Sequence, residues 1–125
     1  MSQQNQYTLP FWSATLTVST AATTIWSLAT TYFAAVRTTD AIDQSATVMF
    51  LTAEKGNGAT IIYVGDKTLN AATTPPTGVG FELTAGQTAW NGQAIPGGMT
   101  SDLNQWWVQA SSTATPYLCV LVLKC

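Results

Sequence analysis

Ser13-Ala14-Thr15-Leu16-Thr17-Val18-Ser19 is the stretch that decides the fold class. Thr15, Thr17 and Ser19 alternate with Leu16 and Val18. A period of two puts the hydroxyl residues on one face of an extended strand and the aliphatic residues on the other. β-Branched residues, which fit a pleated surface, dominate from this point on. Further along, Val79, Phe81 and Leu83 share one face of Val79-Gly80-Phe81-Glu82-Leu83. The last segment, Tyr117–Lys124, is apolar on both faces. It must be covered on both sides, either at the centre of the core or at a subunit contact.

Working outward, a second strand is expected through Thr24, Ile25 and Trp26. Leu28–Val36 leaves helix and strand in competition, since its alanines favour one and its threonines the other. Ala46–Leu51 and Ala59–Val64 are both β-rich and flank Glu54-Lys55-Gly56-Asn57-Gly58. Gly and Asn tolerate positive φ, so this reads as the clearest hairpin in the chain. Asp66 and Lys67 open an expected long loop that includes Pro75-Pro76-Thr77-Gly78. Ala85-Gly86-Gln87 turns into a strand over Thr88–Ile95, which Pro96-Gly97-Gly98 ends. Another strand, Gln105–Ala110, carries Trp106 and Trp107. The total is about eight short strands with a turn signal every 8–12 residues, which predicts an antiparallel β-sandwich, with a jelly roll the first choice. No solenoid or propeller period is visible.

The chain has 125 residues, a common size for one domain. We divide it into an N-terminal arm, residues 1–12, and a β-sandwich domain, residues 13–125. Met1–Gln6 is polar and aperiodic. Tyr7-Thr8-Leu9-Pro10-Phe11-Trp12 is a dense aromatic patch that either covers the edge of the core or docks on a neighbouring subunit.

Hydrophobic residues make up 46% of the chain and charged residues only 8%, against roughly a quarter in an ordinary soluble domain. Such a surface has little like-charge repulsion to keep copies apart, which suits a subunit embedded in an assembly. Arg37, Lys55, Lys67 and Lys124 are scattered, and the net charge is −2. No basic face for nucleic acid is therefore expected. The longest apolar run, Tyr117 to Leu123, is far short of a bilayer span, and the first basic residue, Arg37, lies too late for a signal peptide. Cys119 and Cys125 would lie roughly 20 Å apart along one strand at about 3.3 Å per residue, too far for a disulfide unless the C-terminus folds back. Cys119 reads as a small core residue.

Little in the sequence points to catalysis. The chain has no histidine, which excludes triads built on an imidazole base. Asp40 and Asp43 are the only close acidic pair, and no EF-hand spacing surrounds them. Glu54 and Glu82, the two glutamates, are each explained as solvated surface. We expect no enzyme activity, no metal and no cofactor.

Ile61-Ile62-Tyr63-Val64-Gly65-Asp66, followed by Gly80-Phe81-Glu82-Leu83-Thr84-Ala85-Gly86-Gln87, resembles a loose group of small tailed-phage virion proteins. In that group a strand ending in Tyr-Val-Gly-Asp precedes a Gly-x-x-Leu-x-x-Gly-Gln turn. Leu103-Asn104-Gln105-Trp106-Trp107-Val108 fits the strand that follows. The resemblance covers Ala46 to Leu123, and the insertion around Pro75-Pro76 is longer here. It implies a β-sandwich component of a virion. Taken with the small single domain, the aromatic arm and the low charge, it gives the expectation of a capsid decoration (cement) protein on the capsid exterior, made in the host cytoplasm. Its partners would be the major capsid protein and copies of itself, a homotrimer before a dimer, without nucleic acid or membrane. The alternative is a tail, head-fibre or receptor/glycan-binding component. Interface residues are expected at Tyr7, Leu9, Pro10, Phe11, Trp12 and Trp107.

Overall fold

The computed structural model describes residues 8–9, 11–36, 41–42, 44–46, 48–90, 101–113 and 116–123; of residues 8, 9, 11, 41, 42, 90 and 101 it describes the backbone alone. The elements begin with β1 (Thr8–Leu9), β2 (Phe11–Thr17), β3 (Thr23–Thr24) and the helix α1 (Ile25–Val36). Then come β4 (Ala41–Ile42), β5 (Ser45–Ala46), β6 (Val48–Ala53), β7 (Ile62–Asn70) and β8 (Thr77–Leu83). β9 (Thr88–Trp90), β10 (Ser101–Asp102), β11 (Trp107–Ala110) and β12 (Tyr117–Leu123) complete the order, with 3-10 turns at Lys55–Asn57 and Leu103–Gln105.

Among the described residues two four-stranded sheets carry the fold, in the orders β2-β12-β6-β9 and β3-β11-β7-β8. The pairing is nested. β7 pairs with β8, β6 with β9, β3 with β11, and β2 with β12, all antiparallel. This is one long hairpin whose arms are rolled into two facing sheets, closed by the β12–β6 and β11–β7 pairs. It is the jelly roll expected from the sequence. Two short ladders, β1 with β4 and β5 with β10, lie outside it.

The core follows from the period of two. Trp12, Ala14 and Leu16 of β2, Met49, Leu51 and Ala53 of β6, and Leu118, Val120 and Val122 of β12 are buried from one sheet. Ile62 and Val64 of β7, Leu83 of β8, and Val108 and Ala110 of β11 meet them from the other. Each fully buried aliphatic side chain contributes about 1.5–3 kcal/mol.

Of the strand expected at Thr24–Trp26 only Thr24 is strand, in β3; α1 makes Ile25 and Trp26 helical and settles Leu28–Val36 as helix. Ile25, Ala29 and Phe33 are buried at a spacing of four, a single helical stripe. Thr24 Oγ1 accepts a hydrogen bond from Ser27 N at 3.1 Å and caps the helix. Thr30 and Thr31, which argued against helix, return their hydroxyls to Ser27 O at 2.9 and 3.1 Å. The helix packs beside β2 and the Leu103–Gln105 turn.

The expected hairpin between Ala46–Leu51 and Ala59–Val64 is also corrected. β6 and β7 belong to opposite sheets, so their connection is a corner between sheets. Glu54 accepts from Gly56 N and caps the 3-10 turn, Gly58 takes the positive φ of 63°, and Asn57 is buried. The true hairpin is β7–β8, because β7 runs on through Asp66 and Lys67 to Asn70, where a long loop was expected. β2 begins at Phe11, so Phe11 and Trp12 lie in the first strand of the sandwich and not in an arm ending at residue 12.

Candidate functional site

The sheet β2-β12-β6-β9 has a second face, turned away from the core. Its register aligns Thr15, Cys119, Thr52 and Thr88 across four strands. The next row aligns Ser13, Leu121 and Phe50, with Trp90 at the register position beside Phe50. Leu123 and Val48 form a third. Cys119, Leu121, Leu123, Val48, Phe50 and Thr52 are each half-buried, and Tyr117 at the start of β12 is 39% exposed. None of these rows carries an Asp, Glu, Lys or Arg. Thr52 and Thr88 satisfy each other through a 2.8 Å hydroxyl–hydroxyl bond, so part of the polar content of the face is already paired.

At the β2 edge the side chain of Tyr32, from α1, joins this face. It is held edge-on to Phe33 at 5.2 Å between ring centroids. With Thr15, Phe50, Thr52, Thr88 and Leu121 it bounds an open groove of about 480 Å³. Cys119 is a free thiol lining this groove, half-buried, and not the core residue expected. The strand alternation explains this: Leu118 and Val120 take the inward positions, so Cys119 takes the outward one. Cys125 lies outside the described residues.

Electrostatic perturbation occurs elsewhere. Asp66, exposed on β7, accepts from Thr68 Oγ1 at 2.5 Å and from Thr68 N at 2.8 Å. The hydroxyl bond first, and the backbone bond second, hold its carboxyl below the usual carboxylate range. Among the described residues no three His, Cys, Asp or Glu side chains gather, and no helix is long and apolar enough to cross a membrane.

The residues expected at an interface are dispersed. Tyr7 and Pro10 lie outside the described residues. Leu9 sits in β1, paired with Ile42, and Phe11 opens β2 opposite Leu123. Trp12 is only 3% exposed and meets Phe33 edge-to-face at 5.5 Å and 89°. It is core, which corrects its assignment to a subunit contact. Trp107 is half-buried on β11, in the opposite sheet, at the register position of Gly65 and Thr24. Its neighbour Trp106 packs against the core.

Residues of the outer face, Thr15, Phe50, Thr52, Thr88 and Leu121, were not singled out from the sequence. One signal for them was present, since Tyr117–Leu123 reads as apolar on both sides. No family model matches this chain, and no curated protein or solved structure is significantly similar to it.

Proposed function

We propose that this chain is a structural virion protein of a tailed phage, a capsid decoration protein that stabilises the major-capsid shell. The observation that carries the reading is the uncharged, half-apolar outer face of β2-β12-β6-β9. Desolvating such a face leaves no unpaired ion behind, and its half-buried aliphatic and aromatic groups gain by being covered. A low overall charge and the Tyr-Val-Gly-Asp and Gly-Gln motifs support the same assignment. The partners proposed are the major capsid protein and further copies of this chain, a trimer before a dimer. The jelly roll alone does not choose between them, because one fold serves many functions.

Purified protein added to particles that lack it tests the proposal. Electron microscopy should then find it spread over the shell in many copies, with the β2-β12-β6-β9 face toward the capsid. Density confined to a tail tip or fibre would replace decoration with the tail or receptor-binding role.

A further inference from the structure

We propose that the cleft beside the β7–β8 hairpin is a binding site for a neutral saccharide. It has a volume of about 470 Å³ and is lined by Val64, Val79, Phe81 and Trp106, with Asp66 and Gln105 among the polar lining groups. The volume falls within the range of about 300–1,000 Å³ of small-molecule sites. Val64 is fully buried, Val79, Phe81 and Trp106 are half-buried, and Asp66 and Gln105 are exposed. An apolar interior with a few polar groups exposed beside it is the usual anatomy of such a site.

Backbone crowding shapes the cleft. A Cβ on Gly65 would stand 1.7 Å from Gly78 O, and one on Gly78, at a φ of +68°, would stand 2.5 Å from Leu69 N. Both positions therefore require glycine, and the β7–β8 register shifts on either side of Gly65. The two glycines let the β7 and β8 backbones approach closely beside the cleft, and Phe81 and Trp106 are the largest side chains among its lining residues.

The chemistry of these groups selects the ligand. A sugar ring offers an apolar C–H face that lies against an aromatic ring, and hydroxyls that donate to a carboxylate and exchange both kinds of hydrogen bond with a carboxamide. Thr68 fixes the Asp66 carboxylate and keeps it ionised, so it acts as an acceptor toward hydroxyl donors. Among the described lining residues none is a lysine or arginine and Asp66 carries the one charge, so an anionic ligand is disfavoured, although Lys67 stands next to Asp66 in the chain. A neutral oligosaccharide remains. This site is separate from the proposed capsid-facing sheet, and its occupancy does not depend on where in the particle the chain sits.

The test is a titration of the whole protein, with indole N–H groups labelled for magnetic resonance, by chitotriose, cellotriose and maltotriose, with sialyllactose as the charged probe. At least one neutral trisaccharide should shift the Trp106 indole resonance saturably. Trp106 packs against the core and its removal endangers folding, so the variant of choice is Gln105→Ala, at an exposed position. It should weaken that binding at least tenfold while the remaining resonances stay in place. Failure of all three neutral probes to shift Trp106 overturns the proposal. So does equal binding by Gln105→Ala, or a response to sialyllactose alone.

Discussion

Asn57 takes both backbone polar groups of Tyr117 with its own carboxamide: Nδ2 donates to Tyr117 O at 2.9 Å, and Oδ1 accepts from Tyr117 N at 3.1 Å. A side chain thus does what a neighbouring strand would do, and ties the β6–β7 corner to the start of β12. Asn57 is 3% exposed, and although Tyr117 O also accepts from Glu54 N at 3.1 Å, loss of the carboxamide leaves Tyr117 N without its acceptor. Asn57→Ala should lower unfolding stability by about 2 kcal/mol or more. Asn57→Asp should fare no better, because it replaces the donor with a buried charge. Urea unfolding measures both, and a midpoint unchanged by Asn57→Ala would contradict this role.

Trp12 yields a prediction opposite to the one its neighbours in sequence invite. It packs on Phe33 and is walled in by the core, so Trp12→Ala should cost about 3–5 kcal/mol of stability. Among the described residues Trp12 Nε1 is buried without a hydrogen-bond partner. Trp12→Phe keeps most of the ring contact and removes that unpaired donor, so it should cost clearly less. Paired thermal melts decide the matter. A stable Trp12→Ala protein that merely fails to bind particles would restore the docking role.

These two residues show what the sequence made legible. The alternation of Leu16 and Val18 with Thr15 and Thr17, and that of Val79, Phe81 and Leu83, reports local burial, and both strands stand where expected. Pairing partners are different, because a turn such as Gly56-Asn57-Gly58 has the same composition whether it joins neighbours in one sheet or crosses between two. The use of Asn57 is set by Tyr117, sixty positions away. Trp12 follows a proline and an aromatic, a composition common to cores and interfaces, and only the start of β2 at Phe11 turns it inward. The candidate face was hidden for a related reason. Thr15, Thr52 and Thr88 are ordinary solvent-side residues one by one, and become an uncharged surface only when the register lines them up.

Stability should be nearly flat between about pH 5 and 8, since the chain has no histidine to titrate there. Below that window Asp66 contributes. Its folded pKa lies under the unfolded value of 3.8, so its stabilisation is present above 3.8 and is lost as pH falls through the lower, folded value. Asp66→Asn should therefore reduce the acid sensitivity while leaving the neutral-pH plateau level. Denaturant midpoints from pH 2 to 8 test this, and an unchanged acid limb in the variant would refute it.

Thr15 is exposed, and its row on the outer face carries no charge. Thr15→Lys should leave the fold intact, with stability changed by no more than about 0.5 kcal/mol, as is usual for surface positions. A lysine pressed into a covered face must be desolvated or must force the face open, so occupancy on particles should fall sharply. Full occupancy by a folded Thr15→Lys protein would show that some other surface binds.

The effect on the particle follows from mass action. A subunit that bridges neighbours in the assembled shell, and not in the dissociated one, stabilises the shell by its own binding free energy. Particles without it should assemble but lose DNA at a lower temperature or under milder osmotic shock. Because the proposed face has no charged residues, that protection should rest on apolar burial and hydrogen bonds. It should therefore persist when moderate salt shortens the Debye length to a few ångströms. A protein held by its scattered lysines would instead release under the same conditions. Thermal release of DNA, measured with and without the protein at low and high salt, separates these cases. If deficient particles are equally robust yet fail to adsorb to cells, the tail or fibre role displaces decoration.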